Sequence, residues 1–243
     1  MSAHLERAQV LVDLKRPAQA EEELRKALAE EPNNAEAHRL LAWSLAEQDR
    51  ITQAQAEAEE AVRLEPDSTH VHKTLGWILV LQSRWKEAER EIREAIRLDS
   101  QYAGNFFMLA YLFMKRKRWK DCEQAARQGL RIDPEHLNCA NMLAQALLQM
   151  DRTEEAEHVI KFVMARNPES EWVHTNQGWL YSKKGEREQS LHHYREAARI
   201  NPQNTAIHEC IEQLQKRPVA WSAGICVLIY IILKIISVFL AHH

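Results

Sequence analysis

Pro32, Pro66, Pro134, Pro168 and Pro202 recur at intervals of 34, 68, 34 and 34 residues, and Ser100 stands at the midpoint of the long interval. A fixed period of this length marks a repeat array, in which each unit buries its apolar face against its neighbours. Phased so that each proline falls near a repeat's end, the chain divides into 1–34, 35–68, 69–102, 103–136, 137–170 and 171–204. The closing segments AEEPNN, RLEPDS, RLDSQY, RIDPEH, ARNPES and RINPQN align without gaps, and an acidic residue or Asn precedes every proline position. Proline cannot continue a helix and pushes its predecessor out of the α region, while Asn and Asp favour turns and N-caps. Each segment therefore ends one helix and starts another.

Within a repeat the apolar spacing is helical. Leu40, Leu41, Leu45, Ala54, Ala58, Ala61, Val62 and Leu64 follow a 3.6-residue period. A polar break (EQDRI, LQSRW, KRKRW, QMDRT or KKGER) divides each repeat in two, which predicts a pair of helices of about a dozen residues.

These residues carry a family resemblance. The pattern resembles the tetratricopeptide repeat, W-x2-L-G-x2-Y…A-x3-F…P. The third repeat has Leu75-Gly76, Leu79, Ala88, Ile92 and Ala95; the sixth has Gly178, Tyr181, Tyr194, Ala197 and Pro202. The second has Leu41-Ala42, Leu45, Ala54, Ala58, Ala61 and Pro66, and the fifth Leu143-Ala144, Leu147, Ala156, Ile160 and Pro168. The first Trp of the pattern is absent, its place taken by His38, His72, Phe106, Ala140 and His174. The first repeat is the weakest, with Arg7 where Leu is expected, which suits a polar cap or a start that leans on another chain. The resemblance implies an all-α, right-handed solenoid of helix-turn-helix repeats over 1–204. Residues 205–218 read as a capping helix and linker, with Ile207, Cys210, Ile211 and Leu214 as its apolar stripe, stopped by Pro218.

Residues 219–241 (VAWSAGICVLIYIILKIISVFLA) carry one charge, Lys234. As a helix they would span roughly 34 Å, against a hydrocarbon core of about 30 Å. Their Ile, Val, Leu and Phe residues favour insertion by roughly −4 to −7 kcal/mol, and off-centre Lys234 opposes it by at most about 3 kcal/mol. This predicts a single transmembrane helix acting as a tail anchor. Lys216 and Arg217 place the repeats on the cytoplasmic side. The pattern fits a bacterial inner membrane and equally a eukaryotic organelle membrane. Ser222, Cys226, Tyr230, Lys234 and Ser237 fall on one side of that helix, which reads either as a lone anchor whose Lys234 snorkels or as a face for self-association or for a partner helix.

The resemblance implies that the first helices of the repeats line a concave face into which position nine points. Here that position holds Trp43, Trp77, Tyr111, Gln145 and Trp179, with Phe107 and Trp172 on the same inferred face. Arg39, Lys73, Lys115 and Lys183 lie among them, against Asp13, Glu36 and Glu47. Large aromatics anchor interfaces. The expected site is therefore a groove of Arg39, Trp43, Lys73, Trp77, Phe107, Tyr111, Trp172, Trp179 and Lys183, taking a protein or peptide with apolar and some acidic character. Trp85 and Trp119, which open second helices, read as core. Trp43 and Trp77 stand where a chaperone-clamping member of the family would carry asparagines, so no carboxylate clamp is expected.

Other readings follow from composition. A formal net charge of −3, from 32 basic and 35 acidic residues, gives no footprint for nucleic acid over the whole chain, and the run 115–120 (KRKRWK) reads first as a solvated turn rim, with anionic lipid and then nucleic acid as its alternatives. Four cysteines without C-x-x-C fit reduced thiols. No phosphate loop, dinucleotide fingerprint or H-E-x-x-H occurs. His70 with His72, His192 with His193, and His136 with Cys139 read as surface or core pairs rather than metal sites. No enzyme, cofactor or metal is expected. The function read from the sequence is a membrane-anchored interaction scaffold. Its alternatives are an accessory subunit of a membrane enzyme or secretion complex, and a regulator whose apolar tail occupies its own groove.

Overall fold

The computed structural model describes residues 2–216, in which helices alternate with turns and no strand occurs. Six hairpins succeed one another: α1 (Ala3–Asp13) with α2 (Pro17–Glu30), α3 (Ala35–Glu47) with α4 (Ile51–Leu64), α5 (Thr69–Leu81) with α6 (Trp85–Leu98), α7 (Ala103–Lys115) with α8 (Trp119–Ile132), α9 (Leu137–Gln149) with α10 (Thr153–Arg166), and α11 (Glu171–Lys184) with α12 (Arg187–Ile200). A thirteenth helix, α13 (Thr205–Lys216), follows. Helices of 11 to 14 residues are marginal alone in water, so side-chain packing between them must hold them.

The turns inside the hairpins share one backbone device. Lys15, Asp49, Ser83, Lys117, Asp151 and Gly185 have φ of 54, 60, 59, 55, 58 and 77°, one left-handed residue every 34 positions. That residue reverses the chain after one helix so the next can fold back, and only the sixth repeat places glycine there. Small side chains then let the two helices touch. Ala8, Ala42, Ala110 and Ala144 are fully buried, and their counterparts in the second helices, Ala20, Ala54, Ala88, Cys122, Ala156 and Ser190, are equally so. A Cβ on Gly76 would stand 2.7 Å from Ile92 Cγ1, so glycine is required where Ile92 fills the facing position.

The chain forms two units, Met1–Pro168 and Glu169–His243. In the first, α1, α3, α5, α7 and α9 lie side by side, each second helix packs on its own partner, and α2, α4, α6 and α8 pack also on the next first helix. Leu24, Leu40, Ile78, Ile92, Leu112, Leu147 and Ile160 are among its fully buried side chains. Each contributes about 1.5–3 kcal/mol. Salt bridges staple successive hairpins: Arg50 Nη1 reaches Glu21 and Arg152 Nη1 reaches Glu123, both at 2.7 Å. The hairpin boundary without proline is held by Asn105, wholly buried, whose Nδ2 lies 2.9 Å from each of three acceptors: Thr69 Oγ1, Ala95 O and Asp99 O. In the second unit, Leu191, Tyr194 and Ala197 of α12 bury against Ile207 and Leu214 of α13, and Cys210 and Ile211 pack on the same cluster.

The all-α tetratricopeptide-type fold expected from the sequence is the fold observed. Among the described residues no helix is long and apolar enough to cross a membrane. The anchor expected at 219–241, with Ser222, Cys226, Tyr230, Lys234 and Ser237, lies outside the described residues.

Candidate functional site: the face of the first helices

Because α1, α3, α5, α7 and α9 are neighbours, residues at equivalent helical positions form continuous rows in the first unit. One row is Trp43, Trp77, Tyr111 and Gln145; the row one turn before it contains Arg39, Lys73 and Phe107. All seven are half-buried, while their sequence neighbours on the inner side (Ala42, Ser44, Gly76, Ile78, Ala110, Leu112, Ala144 and Ala146) are buried. The rows are therefore anchored below and open above.

Ring contacts bind the rows together. Lys73 Nζ sits 4.6 Å from the centre of the Tyr102 ring and donates to its hydroxyl at 3.2 Å. His70 meets the same ring edge-on at 5.5 Å. Phe107 lies 6.3 Å from both Tyr111 and His136, and Lys115 Nζ stands 5.3 Å over Tyr111. Burial lowers the pKa of His70 and of His136 below the ordinary imidazole value, which keeps both rings neutral. At one end Arg39 is engaged by Glu36 at 2.5 Å, and burial raises the Glu47 carboxyl. Lys73 and Lys115 are the cations of this face that stand beside aromatic rings.

The remaining expected groove residues belong to the second unit. Trp172 is 39% exposed on the first turn of α11, and Lys183 is exposed in its last turn. Trp179 packs against the cluster of Leu191, Tyr194, Ala197, Ile207 and Leu214, so its ring also holds the end of the array. Trp85 and Trp119 are half-buried at the starts of α6 and α8. The basic run is partly tied down: Arg116 reaches Glu89 at 3.3 Å, and Arg118 reaches Asp121 at 2.7 Å and stacks 4.6 Å over Phe113. Cys122 and Cys139 are buried, which pushes both thiols up to about 12 and removes their reactivity.

A second set of contacts escaped the sequence reading. Where the family carries its first Trp, histidines form rungs to the second helix: His4 Nδ1 to Glu23 at 2.8 Å, His38 Nδ1 to Glu57 at 2.6 Å, His72 Nδ1 to Glu91 at 2.8 Å. The sixth repeat replaces the carboxylate, and His174 Nδ1 faces His193 Nδ1 at 3.1 Å. Burial, then the neighbouring His174 and His192, lowers His193 to about 4. A regular spacing of 19 residues between the partners was the available signal. Likewise Tyr102, His70 and His136, which complete the aromatic face, sit at helix entries rather than at position nine.

Models of the tetratricopeptide repeat match residues 11–78 and 173–204, and a model of anaphase-promoting complex, cyclosome, subunit 3 matches residues 92–163. No curated protein sequence matches the chain. Among solved structures, PilF of Pseudomonas aeruginosa is similar at 20% identity, with 88% of this chain and 96% of that one covered and a TM-score of 0.66. PilW, a widely conserved type IV pilus biogenesis factor, is similar at 16% identity, covering 88% and 97%, with a TM-score of 0.70. The Cut9 and Hcn1 assembly of the anaphase-promoting complex is similar at 14% identity over 87% of this chain and 42% of that one, with a TM-score of 0.75. At these identities the likeness is one of fold. The chain carries tetratricopeptide repeats, a fold that serves protein–protein interaction.

Proposed function

We propose that this protein is an interaction scaffold that binds a peptide or helix on the first-helix face of residues 2–168 and is held at a membrane by 219–241. The observation that carries the first part is the open row of Trp43, Trp77 and Tyr111 bracketed by Lys73 and Lys115. Aromatic rings supply large contact area at low entropic cost, and the two ammonium groups select apolar segments with nearby carboxylates. The function requires no catalysis. The membrane part rests on the apolar run 219–241, and a tether would raise the local concentration of the scaffold around membrane partners.

The test is capture from detergent extract of the native cell with the full chain as bait, beside a Trp77→Ala, Tyr111→Ala double variant of unchanged helicity. A buried interface aromatic is worth about 2 kcal/mol or more, so a partner held through this face should drop by roughly 30-fold or more. A partner retained by both baits places binding elsewhere. Alkaline extraction tests the tether: the full chain stays with membranes and a chain ending at residue 217 is released.

A second reading, an accessory subunit of a membrane assembly complex, is supported by the fold shared with PilW. It predicts that loss of 219–241 abolishes capture while the double variant preserves it.

A further inference from the structure

Val10 and Leu14, 56% and 59% exposed, are the two most exposed large apolar side chains among the described residues, and they stand one turn apart, in α1 and at its C-terminal cap. The later first helices of the same unit bury this position: the counterparts of Val10 are Ser44, Ile78, Leu112 and Ala146, all fully buried. Those helices, α3, α5, α7 and α9, each receive the second helix of the preceding hairpin, whereas among the described residues no helix lies before α1. An open groove of about 630 Å3 lies between α1 and α2, with Glu6, Arg7, Val10, Leu11 and Arg16 in its lining. Arg16 is a second, independent mark. Its counterparts Arg50, Arg118 and Arg152 each reach a carboxylate on the second helix before them: Glu21 at 2.7 Å, Glu89 at 4.0 Å and Glu123 at 2.7 Å. Arg16 stands at the same position, exposed, and among the described residues no preceding helix supplies that carboxylate. The first hairpin thus presents the receiving half of the contact between repeats.

We infer that this groove is where a second copy of the chain docks, α1 against α1, about a two-fold axis. The order of charges along the helix carries the choice of occupant. Glu6 comes first and is exposed, Val10 and Leu14 follow, and Arg16 closes the stretch. Arg7, beside Glu6, is already met by Glu23 of α2 at 3.8 Å. A stretch that is acidic at one end, apolar at its centre and basic at the other complements itself when two copies cross antiparallel. Leu14 of each copy then meets Val10 of the other, and Arg16 of each meets the other's Glu6. A two-fold contact uses one patch twice and closes on itself, so it needs no second surface on the molecule. It takes the apolar pair out of water and gives Arg16 the kind of carboxylate its counterparts have. An apolar centre with a polar rim is the usual build of a surface that pairs with another protein. The pairing is independent of the row of Trp43, Trp77 and Tyr111, which lies on α3, α5 and α7.

The experiment is sedimentation equilibrium of the full chain in density-matched mild detergent, beside Leu14→Glu, Arg16→Glu, Glu6→Arg and the double variant Arg16→Glu, Glu6→Arg. All three positions are exposed, and circular dichroism checks the helices. The expected result is a dimer whose dissociation constant rises by at least about tenfold in each single variant, as for a central interface contact, and falls back toward the wild-type value in the double variant. Glu6 and Arg16 lie at opposite ends of α1, so recovery in the double variant reports a contact between copies. A photo-crosslinking phenylalanine at position 14, activated in the native cell, separates the occupants. A product of twice the chain mass is expected. A product of another mass would give the groove to a different protein, and a crosslink within one chain would give it to residues 217–243; either overturns the inference. So would a wild type that stays monomeric at tens of micromolar, a dimer indifferent to Leu14→Glu, or a double variant no stronger than its single parents.

Discussion

Replacing Glu91 by Gln tests the rung that the third repeat builds inside its hairpin, and it also removes the charge that Arg90 meets at 2.9 Å. His72 and Glu91 are each 7% exposed. The ring offers Nδ1 to Glu91 Oε2 at 2.8 Å and Nε2 to the Pro66 carbonyl at 2.8 Å. Both partners accept only, and neutral imidazole has one N–H, so only imidazolium satisfies both. The hydrogen bond that His72 donates to Glu91 accordingly raises the His72 pKa and lowers that of Glu91. A raised histidine pKa means the folded chain holds the proton more tightly. Its stabilisation is complete below the unfolded value of 6.5 and is lost as pH rises through the folded value. The lowered Glu91 contributes above 4.5 and is lost as pH falls through its own folded value. The rung is therefore strongest between those limits. A hydrogen bond to a charged group is worth about 1.5–3 kcal/mol and a neutral one about 0.5–1.5 kcal/mol. Glu91→Gln should cost about 2 kcal/mol at pH 5.5, falling to about 1 kcal/mol at a pH above the folded His72 value, where the wild-type ring is neutral as well. Repeat arrays need not unfold in one step, so the assay is amide hydrogen exchange in α5 and α6 of the full chain at the two pH values. The wild-type minus variant difference cancels every other titrating group. A difference equal at both pH values, or no difference at pH 5.5, would refute the charged rung.

Four further substitutions probe the packing and the turns of the array. Asn105→Ala removes the buried amide that serves Thr69, Ala95 and Asp99 and should cost about 2–3 kcal/mol, with faster exchange at the start of α7. Gly76→Ala places a methyl 2.7 Å from Ile92 Cγ1 and should cost about 1–3 kcal/mol in urea unfolding, partly restored by Ile92→Val. Gly185→Ala meets nothing within 4 Å but sits at φ 77°, so its cost of about 1 kcal/mol is purely conformational; Ser83→Gly, at φ 59°, should move the other way by up to about 1 kcal/mol. A destabilised Ser83→Gly would show that the left-handed turn carries no strain.

The helix pairs, their turns and the 34-residue spacing were legible because each is set within a few neighbouring residues: an apolar stripe, a proline, a polar break. The aromatic row of Trp43, Trp77 and Tyr111 follows from that spacing, since equivalent positions on adjacent helices share a face. The partners were not legible. Tyr102 enters the face from a turn 29 residues after Lys73, His72 meets a carboxylate 19 residues on, and Asn105 reaches back 36 residues to Thr69. Such pairs depend on how two finished helices cross and on which rotamer fits beside a glycine or an alanine. Trp179 shows the same limit, because position nine marks its direction but only the docking of α13 makes it part of a core. By itself the sequence determined a repeating helical array and the faces its helices present, because local periodicity and turn chemistry act within a hairpin. Tertiary structure alone decided which charges are neutralised, which rings stay open and where two imidazoles meet, because those depend on distances between helices far apart in the chain.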